Sequence, residues 1–237
     1  MLPFKYQTLL YTVVLSTLVF ILVSATPLAN NWILKAFHEG PFSAAEEKVF
    51  EPILTGIKLG KKISLLGANN GGIFSVSEAY KGHASGNLLV KVIPDVWKGS
   101  FGEVKALGMK HQLVASGMLT DVQLGPKAKP VIVMVRQPGE LLRENQEYKD
   151  ASKAEQEAMR KQAIKLACEE VAEEVINLQM FHDDNNMDNV LVTVKNKQVV
   201  AARIVDYGGE SVFHTKKSIS KEVVIAYCEK EALQWWK

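Results

Sequence analysis

Hydrophobic and polar positions change their rhythm several times along the chain. Residues 8–25 (TLLYTVVLSTLVFILVSA) are apolar on every side. Between residues 63 and 92 the apolar positions gather into three short runs, Ile63-Ser64-Leu65-Leu66, Ile73-Phe74-Ser75-Val76 and Leu88-Leu89-Val90-Lys91-Val92. Gly/Asn clusters separate them, which predicts three antiparallel strands. Residues 101–115 carry helical spacing, with Val104, Leu107 and Leu113 apolar. Residues 119–124 and 131–135 predict two more strands, split by a turn at Gly125-Pro126-Lys127. Residues 152–181 contain no Gly or Pro, and Ile164, Ala167, Val171, Val175 and Leu178 form one stripe at spacings of three and four. That pattern predicts a long amphipathic helix. Glu169, Glu170, Glu173 and Glu174 are then expected on its solvated face. Residues 190–194 and 199–205 predict a hairpin through Lys195-Asn196-Lys197, and residues 220–237 a last helix ending in Trp235-Trp236. Near the start, Ser43 and Glu46 have capping-box spacing, so a short helix to about residue 54 is expected after loop-like residues 26–41. Strands gather early and helices late, which defines an α+β chain with a connection near residues 136–139.

Composition narrows the class. The chain has 237 residues, 47% hydrophobic and 23% charged, enough for one globular domain with a real core. The formal net charge is +2 and includes Lys5 of the leading segment, so the rest is nearly neutral. No basic run stands out, which excludes nucleic acid as the expected partner. Lys5, the apolar run and Val23-Ser24-Ala25 follow the order of a secretory signal, with cleavage expected after Ala25. An uncleaved anchor is the rival, since the run approaches the ~17–25 residues of a membrane span. No basic cluster follows to stop transfer. The domain plan is therefore a signal peptide over 1–25, an extension with a short helix over 26–62, and the main domain over 63–237, divided at about 136–140. After cleavage no membrane contact is expected. Cys168 and Cys228 are the two cysteines. A secreted chain can join them, or they can pack as separate buried thiols; both readings stay open.

The chemistry is concentrated in two stretches. One is His182-Asp183-Asp184-Asn185-Asn186-Met187-Asp188-Asn189, at the end of the long helix; the other is Asp206-Tyr207-Gly208, after the hairpin. Alone, each reads as a polar turn. Together they resemble the protein kinase superfamily, including its aminoglycoside-phosphotransferase-like branch. His182, Asp184 and Asn189 match the spacing of that family's catalytic loop, and Asp206-Tyr207-Gly208 matches its metal motif with Tyr for Phe. Leu66-Gly67-Ala68-Asn69-Asn70-Gly71-Gly72 resembles the loop that covers phosphates, with Asn69 in place of the middle glycine. Lys91 on the third strand resembles the phosphate-binding lysine, and Glu103 on the next helix its carboxylate partner. Residues 132–141 resemble the fifth strand and hinge, with Met134 as gatekeeper and Gln137 at the nucleotide.

The resemblance covers roughly residues 60–210 and implies a two-lobed kinase-like fold, with a five-stranded antiparallel N-lobe and a reduced helical C-lobe. It implies ATP and Mg²⁺ as cofactors, with Gly67, Gly72, Lys91, Glu103 and Gln137 at the nucleotide. Asn189 and Asp206 would hold the metal, and Asp184 would act as base. The chain also departs from the family. His-Asp-Asp replaces the family's His-Arg-Asp, Asn186 stands where many protein kinases keep a lysine, and 29 residues follow Gly208. Two functions follow as expectations. One is a secreted pseudokinase-type binding module, nucleotide-binding and engaging a protein partner. Small secreted chains of this kind resemble effectors that pathogenic fungi deliver into other cells. The other is an active atypical phosphotransferase.

Overall fold

The computed structural model describes residues 31–64 and 71–236. The expected signal peptide, Gly67 and most of the glycine-rich loop lie outside the described residues. From Ile33 onward the chain forms one compact unit. It is α+β, and its described strands make three antiparallel sheets, one of five strands and two of three. Among the described residues no helix is long and apolar enough to cross a membrane.

The large sheet has the order β2-β3-β4-β6-β5. Its strands are β2 (Leu59–Ser64), β3 (Gly72–Val76), β4 (Leu88–Val92), β5 (Leu113–Leu119) and β6 (Lys129–Val135). Alternation along β4 sends Leu88, Val90 and Val92 into an apolar cluster with Phe74, Val131 and Val133. The opposite face of β4 presents Leu89 and Lys91 to a cleft. Between β4 and β5 runs α2 (Lys98–Met109), after the single-turn α1 (Ala44–Glu47). The helix expected over 101–115 therefore stops at Met109. His111 takes a left-handed backbone (φ 55°), which ends the helix and turns Leu113-Val114-Ala115 into a strand. The strand expected over 119–124 likewise ends at Leu119. Asp121 then caps a 3-10 turn at Val122–Leu124, its side chain accepting from the Gln123 N–H. The Ser43–Glu46 capping box is present, but it starts one turn only.

The rest of the chain holds α3 (Gln146–Lys149), the long α4 (Lys153–Leu178) and α5 (Lys221–Trp235). Ser152 and Glu155 close a capping box at the start of α4. The hairpin of β9 (Val190–Lys195) and β10 (Gln198–Ile204) turns through Asn196 and Lys197, both at positive φ. It pairs with the short β7 (Glu140–Leu141). A second small sheet has the order β1-β11-β8, from β1 (Ile33–Ala36), β8 (Met180–His182) and β11 (Val212–Thr215). Residues 33–36 are thus strand where a loop is expected. Phe37–Glu39 makes a 3-10 turn.

Cys168 and Cys228 form a disulfide with their Cα atoms 5.5 Å apart, joining α4 to α5. Both sulfurs are buried in the contact between the two helices.

Candidate functional site

A cleft of about 1110 Å³ lies between the large sheet and the elements that follow residue 136. Lys91, Glu103, Met134, Gln137, Asp184, Asn189 and Asp206 all line it. Gly72 opens β3 and faces Lys62 rather than the cleft, which its neighbour Ile73 lines.

Lys91 is at the centre. Its Nζ donates to Glu103 Oε1 and to Asp206 Oδ1, each at 2.7 Å. The partners lie 12 and 115 positions away in sequence, so only the fold brings them together. Glu103 reaches the cleft because Gly99, Glu103 and Leu107 share one face of α2. Burial pushes the Lys91 ammonium down, but the charges of Glu103 and Asp206 more than reverse this and hold it above its ordinary value. Burial raises the Glu103 carboxyl, with Lys91 opposing and Asp206 adding to the rise. The protein packed around Asp206 also raises its carboxyl, although about half of the side chain is open to the cleft, but the Lys91 charge and hydrogen bond prevail and leave it below the ordinary carboxylate value. Asp206 stands at φ 63°, a left-handed backbone uncommon outside glycine.

The loop after β8 is held from several sides. His182 is fully buried, its Nε2 3.0 Å from Asp206 O and its Nδ1 3.3 Å from Asn185 Oδ1. Asn185 Nδ2 donates to His182 O at 2.8 Å, and Trp236 Nε1 donates to Asn185 O at 2.6 Å. The residue that caps the end of α5 therefore supports this loop from below. Asn189 Nδ2 donates to Asp184 O at 3.0 Å and to Asp184 Oδ2 at 2.8 Å. Asn186 Nδ2 donates to Asp184 Oδ1 at 2.5 Å, so the exposed Asp184 carboxylate is oriented by two amides. The Val205 N–H donates to Asn189 O at 2.9 Å and ties the loop to the segment before Asp206.

On the segment that follows, the Gly209 N–H donates to Gly99 O at 3.2 Å, and the His38 N–H donates to Gly209 O at 3.1 Å. A Cβ on Gly102 would lie 2.9 Å from Gly209 Cα, so this approach requires glycine at 102.

One cluster beside the site departs from expectation. Glu174 is buried, not solvated. Its Oε1 accepts from Lys110 and from the Tyr207 hydroxyl, the latter at 2.7 Å. Lys110 also donates to Glu170 Oε1 at 3.1 Å. Burial raises the Glu174 carboxyl above its ordinary value against the pull of Lys110. The sequence did hold a signal: Ala167, Val171, Glu174 and Leu178 continue the stripe at spacings of four, three and four.

Among the described residues no three His, Cys, Asp or Glu side chains gather to hold a metal. Asn189 and Asp206 supply one amide and one carboxylate. That set suits Mg²⁺, which keeps waters and takes phosphate oxygens beside one or two carboxylates.

No protein-family model matches the chain, and the curated proteins offer no match to it.

Proposed function

We propose that this chain is a secreted protein of two-lobed, kinase-like fold whose cleft binds ATP with Mg²⁺. One observation carries the reading: a buried lysine on the third strand of the large sheet shares its charge between a helix glutamate and the aspartate of Asp206-Tyr207-Gly208. Phosphate binding needs a fixed cation beside a carboxylate that can take a metal. Lys91 supplies the cation, and Glu103 keeps it in place. Asp206 and the amide oxygen of Asn189 take the Mg²⁺, because both hydrogen bonds that Asn189 makes to Asp184 leave from its NH₂ group. Bound nucleotide supplies a transferable phosphoryl group. Gln137 lies on the strip that joins the two halves of the cleft, where the base would rest. The disulfide supports secretion, since such bonds persist in oxidising compartments.

Phosphoryl transfer is the second reading, favoured by Asp184. Its carboxylate faces the cleft and is held by Asn186 and Asn189, as a base beside an acceptor hydroxyl must be. A pseudokinase-type module engaging a protein partner would keep the nucleotide and do without this step.

Thermal-shift titration with ATP tests the reading. The wild type should be stabilised, more so with Mg²⁺. Lys91→Met should weaken binding with or without metal, by ten-fold or more. Asp206→Ala should remove the Mg²⁺-dependent part. Asp184→Ala should leave binding intact and stop any transfer. No shift of the wild type at millimolar ATP and Mg²⁺ would overturn the proposal.

A further inference from the structure

Helix α2 is fastened to the segment 206–209 at three points along its length. At its start, Gly209 donates to Gly99 O. In its middle, Glu103 shares Lys91 with Asp206. Just past its end, Lys110 donates to the Tyr207 hydroxyl and to Glu174. Lys110 follows Glu103 by seven residues, two helical turns or roughly 10 Å.

The third fastening is made from charges that are shut away from water. Lys110 and Glu174 have side chains only 9% and 5% exposed. The Lys110 ammonium also lies 4.5 Å from the centroid of the Tyr207 ring, whose other neighbour is the His182 ring at 5.0 Å. Glu174 and Glu170 both stand on the 26-residue α4, so the clamp is referenced to the longest of the described helices. Swinging the end of α2 away would strand Glu174 and the phenol without their partner cation, a costly state for buried groups.

We propose that Lys110 and Tyr207 are positioning residues. They hold α2 against residues 206–209, so that Glu103 keeps Lys91 and Asp206 keeps its left-handed backbone. The site is thereby permanently assembled, by contacts internal to the chain. The clamp acts at the third fastening, where a phenylalanine at 207 would carry no hydroxyl for Lys110 or Glu174.

Amide hydrogen exchange on the full chain tests this, together with the acylation rate of the Lys91 amine. The variants are Tyr207→Phe and the double change Lys110→Met with Glu174→Gln; the double removes the Lys110–Glu174 pair and leaves Glu170, 18% exposed, with Arg203 as its partner. Exchange across residues 99–110 and 206–209 should rise about ten-fold or more in both, the population ratio that ~1.4 kcal/mol represents. Lys91 should label faster. Exchange in α4 away from the turn that carries Glu174, and in the β9–β10 hairpin, should stay at the wild-type rate. Unchanged exchange in α2 with unchanged Lys91 labelling would overturn the proposal. So would a parallel rise in α4 and the hairpin, because the clamp would then be a general stability element. The relevance of the clamp to ligand binding rests on the nucleotide reading, but these measurements need no nucleotide. A wild type that fails to bind ATP would sink that reading and leave this test intact.

Discussion

Lys91 is a buried amine and Lys110 a half-buried one, each placed between two carboxylates, and they differ in what lies on the remaining side. The acids around Lys110 are 18% and 5% exposed, and the Tyr207 hydroxyl closes the cluster. Beside Lys91, Glu103 is 7% exposed, but the Asp206 side chain is 48% exposed and looks into the cleft. A sealed ion cluster is committed to its own partners. A cluster with one hydrated member keeps charge available for a ligand at small cost. Buried ion pairs are seldom strongly stabilising in themselves, yet removing one partner is expensive. The same chemistry can therefore serve as a fastener in one place and a binding site in another.

Substitution can break this comparison most directly. Lys110→Met leaves Glu174 buried without its cation and should cost about 3–5 kcal/mol in urea unfolding. Made in a Glu103→Gln background, so that no buried acid is left alone, Lys91→Met should cost less, about 1–3 kcal/mol, because Asp206 can turn to water. An equal or greater loss for Lys91→Met would erase the distinction.

Reducing the Cys168–Cys228 bond is the next largest effect. It should cost about 2–4 kcal/mol, since it frees a loop with a sequence separation of 60. The loss should appear first in α5, and through Trp236 in the loop around Asn185, leaving the large sheet untouched. Local exchange rates check this. Equal loosening of β3 and β4 would show that the two parts do not differ in what holds them.

The smallest effect concerns pH. The Ser152 N–H lowers the Glu155 carboxyl to about 2, with the Ser152 hydroxyl and Lys197 assisting. A depressed carboxyl contributes stability above its ordinary value of 4.5 and loses it as pH falls toward about 2. Glu103 and Glu174 are raised, so their contribution has the opposite sign: it is present at low pH and lost as pH rises through their folded values. Glu155→Gln should flatten the acid limb of the urea midpoint between pH 5 and about 2. An unchanged limb would mean that the cap contributes nothing.

Much of this arrangement was legible in the residues because apolar periodicity is local. The strand of Lys91, the long α4 and the hairpin at Asn196 follow from spacing and turn chemistry alone. The coming together of Lys91, Glu103, Asp184, Asn189 and Asp206 was expected from resemblance, and the structure places them around one cleft. What was missed depends on partners distant in sequence. Strands β1 and β11 are four residues each and gain their pairing only from each other and from β8. Glu174 read as solvated because its charge outweighed its position in the stripe. Its cation lies 64 positions away, beyond any local pattern. His111 ended α2 through a left-handed backbone that its residue type does not announce.

The most direct test of the cleft as a metal–nucleotide site uses Mn²⁺ in place of Mg²⁺ with ATP, read by paramagnetic relaxation of backbone amides. The account predicts strong, ATP-dependent broadening at Asn189, Asp206 and Gly208, and its loss in Asp206→Ala. Broadening that ignores ATP, or that centres away from Asp206, would contradict it.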